Sequence, residues 1–81
     1  MPHPLDLENI FCHHTPFGDQ CDRYGQVRAA ALEFAQLVTK ITPGSAEQTL
    51  AIRKIQEAMF FANAAIAINE KNADGQLQEM A

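Results

Sequence analysis

Four side chains at helical spacing carry the clearest chemistry in this 81-residue chain. Arg53, Gln56, Phe60 and Asn63 recur every three or four positions, so on a helix they fall along one line. A guanidinium offers phosphate a planar fork of donors, a phenyl ring offers a base a flat face, and carboxamides offer paired donors and acceptors. Together they suit a phosphorylated ligand that carries a base. The plainer reading is a solvated helix face on which Phe60 is one more packing residue. Arg23, Tyr24 and Arg28 form a second group, whose plainer reading is two surface cations flanking a core tyrosine. Lys54 adds a further cation beside Arg53. The whole chain has only six Lys and Arg residues, a net charge of −4 and a pI near 5.1, which argues against a broad basic surface for DNA or RNA polymers.

Catalytic chemistry finds no such support, and the chain reads as a non-enzyme. Its single serine, Ser45, is better placed as a helix cap than as a nucleophile. There is no glycine-rich phosphate loop and no pair of histidines at i and i+4. Asp19 and Asp22 suit a helix start, and Glu47, Glu57 and Glu70 suit solvated faces, so no base, orienting group and nucleophile stand together. Cys12, His13, His14 and Cys21 supply four possible zinc ligands, but adjacent histidines point apart and the spacing fits no common finger. No metal or other cofactor is expected. The first residues lack a basic stretch followed by an apolar one, and no run reaches the 18 or so apolar residues of a membrane span. A cytoplasmic chain with free thiols follows as the expectation.

Two long helices must position these groups. Residues 45–70 contain neither Gly nor Pro, and Ser45 with Gln48 forms a Ser-x-x-Gln capping box, with Thr42 before Pro43 as a competing start. Ile52, Ile55, Met59, Ala62 and Ile66 keep a heptad rhythm; Ala51, Ala58, Phe61, Ala65 and Ile68 form a second apolar line. Residues 19–41 carry a matching seam of Tyr24, Val27, Ala31, Phe34, Val38 and Ile41, with Asp19 or Asp22 as cap. Thr42, Pro43 and Gly44 leave so short a connector that the helices must run antiparallel as neighbours. The expected fold is all-α: one domain over 1–81, an antiparallel two-helix hairpin with helices at about 19–41 and 45–70. A short N-terminal helix within 5–11 would place Leu7, Ile10 and Phe11 on the hairpin as a lid, and the 71–81 tail would be flexible. With 47% hydrophobic residues and more apolar seams than one partner helix can cover, the hairpin should assemble into a homo-oligomeric helical bundle.

Residues 17–70 also resemble the phage cyclic-nucleotide sponge family, small helical-hairpin proteins that counter the CBASS and Thoeris bacterial defence systems. Three stretches carry the likeness: Asp22-Arg23-Tyr24 with Arg28 shortly after, Pro43-Gly44-Ser45 opening the second helix, and KIQEAMFFANAAIA at 54–67. Where relatives often place an aromatic before Ala-Asn-Ala, this chain has Phe61; the Cys12-His13-His14 region has no counterpart in the pattern. The resemblance implies a homo-oligomer, typically a hexamer, in the cytoplasm of an infected bacterial cell. Its interfaces would sequester a cyclic di- or trinucleotide, or a cyclic ADP-ribose isomer, without cleaving it. Within that frame Arg23, Arg28, Arg53 and Lys54 are the candidates for phosphate, Phe17, Tyr24 and Phe60 for stacking, and Asn63 for a base edge or ribose. The alternative is a structural or adaptor hairpin that oligomerises or docks a protein and takes no small ligand.

Overall fold

A computed structural model describes residues 6–70, and among them the architecture is wholly helical. A single turn, α1 (Leu7–Ile10), leads through an extended segment into α2 (Gln20–Ile41), and a short connector leads into α3 (Ala46–Asn69). Polar links at both ends fix α2 and α3 as antiparallel neighbours: Gln20 reaches Ile66 and Glu70 at the open end, and Gln48 reaches Thr42 at the closed end. The expectation of a flexible tail over residues 71–81 lies outside the described residues.

The closed end follows from local chemistry. Thr42 donates its backbone N–H and its hydroxyl to the Val38 carbonyl at 3.1 and 2.6 Å, which closes α2. Ser45 then accepts the Gln48 N–H at 3.1 Å and caps α3. Only half of the capping box forms, because the Gln48 carboxamide turns to the carbonyl and hydroxyl of Thr42 instead of the Ser45 N–H. Gln48 thereby ties one helix's first turn to the other helix's last.

The open end departs from the expected cap. Asp19 stands at the N-cap position of α2 but makes no capping hydrogen bond; its carboxylate accepts from Arg23 Nε at 3.0 Å, a turn along the helix. Gln20 does the local work, accepting the Phe17 N–H at 3.1 Å while donating to the Ile66 carbonyl and to Glu70. Gly18, at φ +56°, supplies the left-handed residue that this turn requires. Gln20 is the one fully buried side chain among the described residues, so a carboxamide and not an apolar residue is the deepest point of the chain.

No apolar side chain among the described residues is fully buried. Val27, Ala31 and Val38 on α2 meet Ile52, Ile55 and Met59 on α3 along a half-buried seam, but Phe34, Ile41 and Ala62 of the expected seams remain exposed. Two antiparallel helices cover one stripe each, and a side chain one position round the helix stays wet. Phe60 and Phe61 are exposed as well. α1 is shorter than an apolar lid would need: Phe11 is 83% exposed, and α1 is held to α3 by Asn9 donating to the Ile68 carbonyl at 2.8 Å. No helix of the described residues is long and apolar enough to cross a membrane.

Candidate functional site

Near the open end, the segment after α1 folds back across the hairpin and makes a cleft of about 310 Å³. Its walls are His14 and Pro16 from that segment, Tyr24 and Arg28 from α2, and Asn63 from α3; Ala64 and Ala67 floor it with small side chains that admit a close approach. Three of the eight residues nominated from sequence therefore meet in one place, contributed by both helices. Arg28 also lines an adjoining cleft with Arg53 and Gln56, so the two guanidiniums border one face of the hairpin. Arg28 has no carboxylate partner among the described residues, and Arg53 touches only Gln56 Oε1, at 3.2 Å. Both remain available to an anion.

The other nominated residues are placed differently. Arg23 is already engaged: its two terminal nitrogens grip the Glu70 carboxylate at 2.6 and 2.5 Å while Nε holds Asp19. That fork-to-fork pair raises the guanidinium's proton affinity further above its ordinary value. Hydrogen bonds from Arg23 first, and Gln20 second, hold the Glu70 carboxyl at about 2, against an ordinary 4.5. The clamp joins the start of α2 to the end of α3 and leaves Arg23 little to offer a ligand. Lys54 donates to Glu57 at 3.3 Å and lines a separate apolar groove with Phe34 and Ala58. Phe17 and Phe60 line neither polar cleft. Tyr24 is half-buried, and desolvation pushes its hydroxyl's pKa upward, so the ring stays neutral and able to stack.

Four residues of the cleft are not among the sequence candidates: the alanines of its floor, and His14 and Pro16 of its walls. His14 and Pro16 belong to a stretch whose spacing carries no helical or strand signal, and the path that brings them into the cleft depends on local contacts to one backbone carbonyl. Asn9 holds that path in place: its carbonyl meets His14 Nε2 at 2.7 Å and the Cys12 thiol at 3.3 Å. Among the described residues no three His, Cys, Asp or Glu side chains are grouped as a metal site.

With this geometry in view, comparison with known families is decisive. The model of the Acb2/Tad1 hairpin domain matches residues 3–67, most of the chain. The chain belongs to the Acb2/Tad1 hairpin family. This is the phage cyclic-nucleotide sponge family, whose members bind cyclic nucleotides rather than being known for catalysis. The Acb2/Tad1 match spans α2, the connector, α3 as far as Ala67 and all the residues that line the cleft. No curated protein and no solved structure matches the chain.

Proposed function

We propose that this protein is a phage-type sponge that captures a cyclic nucleotide immune messenger, a cyclic di- or trinucleotide or a cyclic ADP-ribose isomer, and thereby silences anti-phage defence in the infected cell's cytoplasm. The observation that carries the reading is the cleft in which Tyr24, Arg28 and Asn63 converge within a chain of this family. Each group suits one part of such a ligand: ring to base, guanidinium to phosphate, amide to base edge or ribose. Arg53 extends the cationic border. Capture without cleavage is the mode that the family resemblance implies. The working form is a homo-oligomer, and a hexamer is the state the family resemblance implies.

A thermal-shift panel of cyclic nucleotides tests the reading. A true ligand at 100 times its Kd stabilises the fold by about 2.7 kcal/mol and raises the melting temperature measurably. Mass spectrometry of the heat-released ligand should return it intact; a linearised product that accumulates with time would show an enzyme. The adaptor alternative has one observation in its favour, an open apolar groove of about 550 Å³ between α2 and α3, on which Phe34 is 55% exposed. No shift with any nucleotide, together with a stable protein complex formed through that groove, would replace the sponge by the adaptor.

A further inference from the structure

Gln20 opens α2, yet its side chain reaches all three segments that build the cleft. Its Oε1 accepts the Phe17 N–H at 3.1 Å, and its own backbone N–H donates to the Phe17 carbonyl at 3.1 Å, so the residue after Pro16 is held in both directions. Its Nε2 donates to the Ile66 carbonyl at 3.4 Å and to Glu70 Oε1 at 3.0 Å, which ties it to α3 beside Ala67 of the cleft floor. The Tyr24 hydroxyl, one turn further along α2, stands 3.5 Å from the same Oε1, at the outer limit of a hydrogen bond. These partners settle which way the carboxamide lies, because a backbone N–H only donates and a carbonyl only accepts.

A hydrogen bond adds only modestly to net stability, but a buried network whose members are all satisfied specifies one arrangement of the groups it joins. Gln20, with no exposed surface, is the centre of such a network. We infer that Gln20 is a positioning residue of the candidate site: it touches no ligand and sets where the Pro16 wall, the Tyr24 ring and the α3 floor stand relative to one another. This rests on the nucleotide reading above and adds to it a residue that no spacing in the sequence singles out. The neighbouring clamp does a different job. Arg23 and Glu70 join the helix ends, and no hydrogen bond of Arg23 reaches Phe17 or Tyr24.

The chain has one tyrosine and no tryptophan, so its near-ultraviolet tyrosine circular dichroism reports the surroundings of Tyr24 alone. Gln20→Met keeps the length of the side chain and removes its polar contacts, while Arg23→Ala breaks the clamp and leaves Gln20 in place. Both should lower the melting temperature. Measured well below melting, only Gln20→Met should lose most of the tyrosine band while it keeps the far-ultraviolet helix signal. Isothermal titration of the full chain uses cyclic di-GMP, cyclic di-AMP, cyclic tri-AMP and a cyclic ADP-ribose isomer. Gln20→Met should bind whichever of these wild type captures about tenfold more weakly, and Arg23→Ala should bind it as wild type does. An unchanged band or affinity in Gln20→Met, or an equal loss of both in Arg23→Ala, would show that Gln20 only stabilises the hairpin; the inference would fall and sequestration would stand. Should Gln20→Met fail to fold, hydrogen exchange on wild type decides. Protection of the Phe17 amide supports the tether, and exchange as fast as that of an exposed loop amide would overturn it. Binding of none of the four nucleotides by wild type would overturn the sponge reading, and this inference with it.

Discussion

Arg23 and Arg28 stand little more than a turn apart on α2 with opposite commitments. Arg28 faces the cleft without a carboxylate, so Arg28→Ala should weaken ligand binding by about tenfold to a hundredfold while the melting temperature stays near wild type. Arg23→Ala should do the reverse, lowering the melting temperature through loss of the Glu70 clamp. Titration calorimetry beside thermal melts separates the two, and an Arg23 variant that lost binding with unchanged melting would reverse the assignment. Glu70 gives the clamp a pH signature. Its folded-state pKa of about 2 lies below the ordinary 4.5, so its contribution is complete above 4.5 and is lost as the pH falls through the interval down to 2. Acid melts of wild type should therefore fall more steeply across that interval than those of Glu70→Gln. The nearness of Tyr24, Arg28 and Asn63 was legible in the sequence because helical spacing puts the first two on one face of α2 and the short connector folds Asn63 of α3 back to the same end. His14 was not, since its position depends on one carbonyl, that of Asn9, and no spacing encodes such a contact.

Among the elements, the two long helices and their connector were legible because apolar period, capping residue and proline all agree at the closed end. Ser45→Ala should cost about 1 kcal/mol in chemical denaturation, the usual worth of a side chain that caps a helix start. The open end was harder to read. Asp19 has the right type and place for a cap, yet the competing partner Arg23 takes its carboxylate and the Gln20 amide takes over the turn. The lid was misjudged for a related reason: α1 docks by one amide hydrogen bond, while hydrophobic counting favoured Phe11. Gly25 lies inside α2, where glycine weakens a helix, and a Cβ there would meet nothing within 4 Å among the described residues. Gly25→Ala should therefore stabilise an isolated hairpin by up to about 1 kcal/mol. A loss of melting temperature or of oligomer instead would mean that a second subunit approaches this backbone.

At the scale of the whole molecule, the striped surplus of apolar residues was legible, but which residues stay wet was not. Heptad counting cannot say on which side of a seam Phe34 falls when only two helices are present. Light scattering coupled to size exclusion should find a species larger than a dimer, and Phe34→Ala should reduce its mass more than it unfolds the hairpin. A monodisperse 9.0 kDa monomer would rule out both expectations. That no apolar side chain among the described residues is fully buried has a kinetic side too. A hairpin that keeps its apolar residues at least partly hydrated gains less from its seam than a buried core would give, and such a chain opens more often when alone. Its survival against cellular proteases should then climb with its own concentration, so that newly made copies are cleared quickly and lasting protein accumulates only once translation outruns degradation.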